Sequence, residues 1–274
     1  MKDILIIPDV HGRTFWRPAL QKFAKELTEG TMHCVFLGDY LDPYEFEIED
    51  GICEGYNAAI KNFREILLLK DALGSSLTLL LGNHDLHYID EYSEGGYKCR
   101  YMYQYEPVIV KLFRDNWKKF KLAYECVLDS GRRCLLTHAG VMKAWVDTRF
   151  DNMAESDITA DWLNSFLMPS MSDLYIFNDC GYSRGGYGYG SPVWADAEEF
   201  FWGFANEKGR DELGYEAPPQ RVYTGIYQIF GHSLFYPYEA YELLGEHYIC
   251  ENYAMLDSRK AFVLHSDGRI EPVV

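Results

Sequence analysis

Acids, histidines and one amide stand in short loops that each follow an apolar run: Asp9-Val10-His11, Gly38-Asp39-Tyr40-Leu41-Asp42, Gly82-Asn83-His84-Asp85, Thr137-His138 and Gly231-His232. Asp, Asn and His together offer hard oxygen and borderline nitrogen donors, the mixture that divalent metal ions accept. Two ions about 3.5–4 Å apart need a shared ligand, and a carboxylate between them also weakens their mutual repulsion. The set Asp9, His11, Asp39, Asn83, His138 and His232 divides into two such sites around one bridging acid, with positions left for substrate and water. Asp39 and Asp42 can take different tasks, one ligating metal and the other orienting a histidine. Any one of these histidines alone reads as an ordinary structural residue. The weight lies in five blocks together.

Positioning them requires strands. Val35-Phe36-Leu37 reads as a buried parallel strand, so Asp39 and Asp42 sit past its C-terminal end, where open α/β sheets place their chemistry. Asp3 to Pro8 and Leu77 to Leu81 read the same way. Between them, Ala19, Leu20, Phe23, Ala24 and Leu27, and then Ala59, Ile60, Phe63, Ile66 and Leu67, recur at helical spacing. This repeated strand–loop–helix order predicts a parallel sheet and an α/β class. Tyr101 to Trp117 and Asp161 to Leu167 read as helices. Phe120 to Leu128 and Arg133 to Thr137 read as strands flanking the turn Asp129-Ser130-Gly131-Arg132. Further strands are expected at Ile226 to Phe230, Tyr248 to Ile249, Ala254 to Leu256, Ala261 to His265 and Ile270 to Val273. Residues 1–274 are read as one domain, with 139–220 as a rim or lid over the site.

The formal charge of −16, from 26 basic and 42 acidic side chains, argues against a nucleic-acid polymer as ligand. It leaves a small phosphorylated substrate open, because bound cations reverse the local field. No run of about 18 apolar residues occurs, so no membrane span is expected. Ile4 to Ile7 is too short for a secretory core, and a cytoplasmic protein is the expectation. The seven cysteines show no CxxC spacing, and Cys34, Cys126 and Cys134 are expected to be reduced core thiols.

The order Asp-x-His, Gly-Asp-x-x-Asp, Gly-Asn-His-Asp, lone His, Gly-His, carried here by residues 9 to 232, resembles the calcineurin-like metallophosphoesterases. The resemblance implies a central β-sandwich flanked by helices, in four αββα layers, with metal at the strand ends. Leu136-Thr137-His138-Ala139-Gly140, Ser191-Pro192-Val193-Trp194-Ala195-Asp196 and Ala254-Met255-Leu256-Asp257 are similar to the protein serine/threonine phosphatase and diadenosine tetraphosphatase branch. Three positions depart from it. Asp42-Pro43-Tyr44 replaces Asp-Arg-Gly, whose arginine grips phosphate in that branch. Asp85 stands where its eukaryotic members have Glu, and Gly231-His232-Ser233-Leu234 lacks the second histidine of phosphodiesterase members. By position, the resemblance implies that Asp9 and His11 hold one ion, that Asp39 bridges, and that Asn83, His138 and His232 hold the other. His84, paired with Asp42, would protonate the leaving oxygen while a metal-activated water attacks phosphorus in line.

Candidates for gripping substrate are Arg184, set beside glycines that let a backbone approach a ligand, together with Arg13 and His87. Tyr182, Tyr187 and Tyr189 could shape a rim, Asp85 is expected to support its own turn, and Glu45, Glu47, Glu49 and Asp50 to form a solvated loop. His33, His247 and His265 are read as structural. The expected activity is phosphomonoester hydrolysis of a phosphoprotein or small phosphoester with two divalent ions. Manganese is the first choice, with Fe, Zn, Ni or Co also compatible with these ligands. The alternatives are a nucleotide-directed hydrolase, acting on dinucleoside polyphosphates or phosphodiesters, and a catalytically silent scaffold.

Overall fold

Two β-sheets face each other, and their strands alternate between an inner and an outer core. The computed structural model describes residues 1–89, 100–151, 153–167, 171–181, 184, 186, 188–196, 199–200, 223–233, 247–249 and 252–273. The first half runs β1 (Ile4–Ile7), α1 (Trp16–Lys22), α2 (Ala24–Glu29), β2 (His33–Phe36), α3 (Glu45–Glu49), α4 (Tyr56–Leu73), β3 (Leu77–Leu80), α5 (Asn83–Leu86) and α6 (Glu106–Asn116). Then follow β4 (Phe120–Lys121), β5 (Ala123–Val127), β6 (Arg133–Thr137), α7 (Lys143–Phe150), α8 (Ala160–Ser165), β7 (Ile226–Phe230), β8 (His247–Ile249), β9 (Tyr253–Leu256), β10 (Phe262–Leu264) and β11 (Ile270–Pro272). Among the described residues, one sheet has six strands in the order β11-β10-β1-β2-β3-β4 and the other five in the order β5-β6-β7-β9-β8. β1, β2, β3 and β4 pair in parallel, as do β6, β7 and β9, while β10 is antiparallel to both β1 and β11, and β5–β6 and β8–β9 are antiparallel.

The side-chain period of two makes the layers. In β1, Ile4 and Ile6 join Val35, Leu80, Leu136, Ile229 and Leu256 in a cluster between the sheets. Leu5 and Ile7 turn the other way, joining Phe36, Leu79 and the apolar faces of α1 and α4. A strand covered on both faces must be apolar throughout, which is why Ile4 to Ile7 shows no polar alternation. Residues of α7 and α8, among them Trp145, Val146 and Leu163, belong with Leu135 and Phe230 to the same outer cluster. The four-layer arrangement follows.

Two expected elements come out differently. The stretch Phe120 to Leu128 is two strands: β4 pairs with β3 in one sheet and β5 with β6 in the other. Asn164 Oδ1 accepts from the N–H groups of Leu122 and Ala123 at 2.8 and 3.1 Å, satisfying the backbone where the chain changes sheet. The expected Ala19–Leu27 helix breaks at Phe23, whose φ of −110° and ψ of 21° leave the helical region and separate α1 from α2. Among the described residues, no helix is long and apolar enough to cross a membrane.

Candidate metal centre

Parallel strands end on one side, and that is what gathers the five blocks. β1, β2 and β3 deliver the loops of Asp9, Asp39 and Asn83; β6 and β7, also parallel neighbours, deliver His138 and His232. The loops approach so closely that side chains are excluded. At Gly38, with φ of 113°, an added Cβ would strike Gly82 N, and at Gly82 it would strike Asp39 Oδ1 and His138 Cε1. Behind the centre, Tyr40 stacks on Phe63 of α4 with ring centroids 5.0 Å apart and donates its hydroxyl to Leu80 O at 2.8 Å. Asp85, fully buried, accepts from the N–H groups of Asp39, Gly82 and Tyr40 at 2.8, 2.9 and 3.1 Å and so ties two loops together.

The backbone is strained where the chemistry gathers. Six non-glycine residues among those described have φ between 44° and 68°, and five of them, His11, Asp39, Asp42, Arg100 and His232, stand at this centre. Such conformations cost about 1–3 kcal/mol each and persist only where the surroundings impose them.

The donor atoms converge on Asp39. His11 Nδ1–H donates to Leu41 O at 2.9 Å, and His138 Nδ1–H to Leu37 O at 2.8 Å. Since a carbonyl only accepts, each ring in its neutral form turns an unprotonated Nε2 inward. These two nitrogens lie 3.4 and 3.5 Å from Asp39 Oδ2. His138 Nε2 is also 3.1 Å from Asn83 Oδ1 and 3.0 Å from His232 Nδ1. With both rings neutral, the Nε2 lone pairs of His11 and His138 face Asp39 Oδ2, and that of His138 faces Asn83 Oδ1, in a buried space, an arrangement that repels unless a cation lies between. Ligand atoms about 2.1 Å from an ion stand about 3.0–3.4 Å apart in octahedral or tetrahedral geometry, which matches these spacings. The residues fit metal. Asp39 Oδ1, meanwhile, accepts from His84 N at 3.0 Å, which fixes the carboxylate with Oδ2 toward both clusters.

Asp9 is buried beside them, its Oδ1 accepting from His232 N at 3.0 Å. It belongs to none of the three compact donor groups among the described residues, which are His11, Asp39, His84, then Asp39, His138, His232, and Asp42, His84, His87. His84 has both ring nitrogens engaged: Nδ1–H donates to Asp42 Oδ2 at 2.7 Å, and Nε2 accepts from Arg100 at 2.9 Å. Burial pushes His84 down to about 3, with Arg100 adding to the shift and Asp39 opposing it. Burial pushes Asp42 up to about 7 against the Tyr88 hydroxyl, which donates to Asp42 Oδ1, and against Arg100. His11 and His232 are held well below the ordinary imidazole range by burial, His11 next by Arg100 and His232 next by Arg184. For His11 and His232 the direction favours the neutral imidazole that a metal ligand must be.

The substrate candidates separate. Arg184 is half-buried, its Nε donating to Asp196 Oδ2 at 2.6 Å, and its charge reaches His232 and His84. His87 is buried against His84 and Trp194, with ring centroids at 5.3 and 5.8 Å. Arg13, expected beside substrate, is instead 2% exposed and bound to Glu47 Oε2 at 2.8 Å, Asp9 O at 3.2 Å and Ser258 O at 3.0 Å. It braces the first loop from behind. Glu47, expected in a solvated loop, lies on α3 and is the buried partner of that brace. Tyr182 and Tyr187 lie outside the described residues. His33 donates to or accepts from Thr78 Oγ1 at 3.0 Å, and His265 meets Asp3, in keeping with structural places.

Arg100 is the residue that sequence reasoning missed. Its guanidinium stacks on Tyr44 at 3.6 Å from the ring centroid and donates to Asp42 O at 2.8 Å. No motif surrounds it. The one hint was Pro43, which leaves unfilled the phosphate-gripping position of the resembled branch.

The chain matches the family model described as calcineurin-like phosphoesterase over residues 2–233, and it belongs to that family. It is thus a metallophosphoesterase, a hydrolase of phosphoric ester bonds, with buried His/Asp clusters as its metal-site candidates. Among solved structures it is similar to a cold-active protein tyrosine phosphatase, at 15% identity and a TM-score of 0.53, covering 99% of this chain and 78% of that one. It is also similar to a protein serine/threonine phosphatase from Saccharomyces cerevisiae, at 14% identity and a TM-score of 0.46, covering 99% and 79%. The first likeness shows the shared fold. No curated protein matches the chain.

Proposed function

We propose that this enzyme is a metal-dependent phosphomonoesterase of the protein phosphatase kind. The observation that carries the reading is the pair of guanidiniums, Arg100 and Arg184, whose charges both act on His84 and His232 beside the Asp39 donor set. In a chain of net charge −16, two cations directed at a buried donor centre favour a small, doubly charged anion. Asp39 would be shared between two ions, with His11 and the second oxygen of Asp9 on one side and Asn83, His138 and His232 on the other. Two divalent ions there, manganese being the first to test, supply Lewis acidity and a water of lowered pKa. His84 Nε2, which accepts from Arg100 here, would face the leaving oxygen and pass it a proton taken up there once Arg100 turns to the phosphoryl group, while Asp42 at 2.7 Å holds the ring and its tautomer. Asp85 keeps the two loops in register, and Arg184 neutralises phosphate charge. The solved relatives described as protein phosphatases make a phosphoprotein the first substrate class to try, before small phosphoesters.

The test is hydrolysis of an aryl phosphomonoester against the matching diester, after chelation and re-addition of Mn²⁺. Monoester turnover that disappears with chelation and returns with metal supports the reading. Dominant diesterase would replace it with the nucleotide-directed alternative. Neither activity in metal-loaded protein would favour a silent scaffold.

A further inference from the structure

We infer that Arg100 is the specificity-determining residue that selects phosphomonoesters over phosphodiesters, an assignment that rests on the phosphomonoesterase reading above. Its place is built. The residue holds a left-handed φ of 62°, shared among the described residues chiefly with the candidate ligands. One terminal nitrogen donates to Asp42 O at 2.8 Å, the other to His84 Nε2 at 2.9 Å. The guanidinium plane lies 3.6 Å over the Tyr44 ring, and Tyr44 in turn meets His11 edge-on, with centroids 5.2 Å apart. The cation is therefore held between the Tyr44 ring and the histidine that faces the leaving oxygen, and both of these meet His11 of the donor set edge-on.

His84 Nε2 marks where the leaving oxygen must come for its proton. A guanidinium 2.9 Å from that atom can turn, once the leaving oxygen takes its place on Nε2, to the other oxygens on the same phosphorus. A monoester has three of them. With two turned toward the Asp39 donor set, the third meets Arg100, whose planar fork suits a phosphoryl edge. A diester carries its second ester group at that position, with less charge on the oxygen and a substituent directed into the Arg100–Tyr44 stack. Arg100 thus rewards the terminal phosphate and obstructs the internal one. It comes from a part of the chain remote from position 43, where Pro43 carries no charge.

The experiment compares wild type, Arg100→Ala and Arg100→Lys, each loaded with Mn²⁺ and matched for Tm. It reads the inhibition constant of inorganic phosphate, and kcat and KM for an aryl monoester and its diester. One lost charged hydrogen bond corresponds to about 10- to 100-fold. Arg100→Ala should therefore raise the phosphate inhibition constant and the monoester KM by that factor, while diester kcat/KM stays within about threefold. Lys keeps the charge without the fork and should recover only part of the loss. If Arg100→Ala fails to fold, a rise of at least about threefold in the phosphate constant for Arg100→Lys is the supporting result. A phosphate constant within about twofold of wild type in the variants, or an unchanged monoester-to-diester ratio, overturns the assignment to Arg100 alone. A wild type that prefers diesters overturns the phosphomonoesterase reading and this selection together, and is seen before any variant is compared.

Discussion

Glu47→Ala removes the counter-charge from a buried guanidinium. The Arg13 and Glu47 side chains are 3% and 2% exposed, and the remaining Arg13 bonds run to neutral carbonyls, Asp9 O and Ser258 O. Breaking one side of a buried ion pair costs about 3–5 kcal/mol, because the surviving charge stays in a medium that solvates it poorly. At about 2–4 °C per kcal/mol for a chain of roughly this size, Tm should fall by about 6–20 °C, and urea denaturation should give the same loss of free energy. Glu47→Gln keeps an acceptor and should lose less. Replacing both partners, Arg13→Met with Glu47→Leu, should regain most of the stability, since no charge is left stranded. That double variant should still bind metal more weakly than wild type, because the Asp9 carbonyl loses its buried donor. A Glu47→Ala protein within about 1 kcal/mol of wild type would refute the brace.

Gly82→Ala should abolish metal binding while leaving a folded chain, since the added methyl displaces Asp39 and His138; metal content by mass spectrometry decides, and wild-type loading would contradict the close approach. His84→Asn should keep metal and lose about 10²–10⁴ in kcat with a poor leaving group, and much less with p-nitrophenolate, which leaves unaided; equal losses for both would remove the proton-donor role. His33, half-buried under Tyr124, is held down to about 4 by burial. The unfolded chain binds its proton near 6.5 and the folded chain does not, so this residue's share of stability is lost as pH falls from about 6.5 to about 4. His33→Asn should flatten the fall in Tm over that window, and an unchanged slope would contradict the shift.

The donor set was legible because each member follows an apolar run, and parallel strands must end together; Asp9, His11, Asp39, Asn83, His138 and His232 come together for that reason. The β4–β5 break was not legible, since Phe120 to Leu128 reads as one run interrupted only by Lys121 and Glu125, and the cue is a side chain, Asn164, far along the chain. Arg13 was misread for a related cause. Its proximity to Asp9 in sequence says nothing of direction, and only the packing of α3 shows a buried partner. Arg100 was invisible because its role depends on Tyr44 and His84, contacts spanning many residues with no spacing rule to announce them.

The central claim is that Asp39 stands between two ions. Equilibrium metal binding to chelated protein, followed by calorimetry and by mass spectrometry of the desalted chain, measures this directly. Two Mn²⁺ per wild-type chain are expected, and at most one weakly held in Asp39→Asn, with phosphomonoesterase activity lost in parallel. A single ion in the wild type, or two ions retained in Asp39→Asn, would contradict the claim.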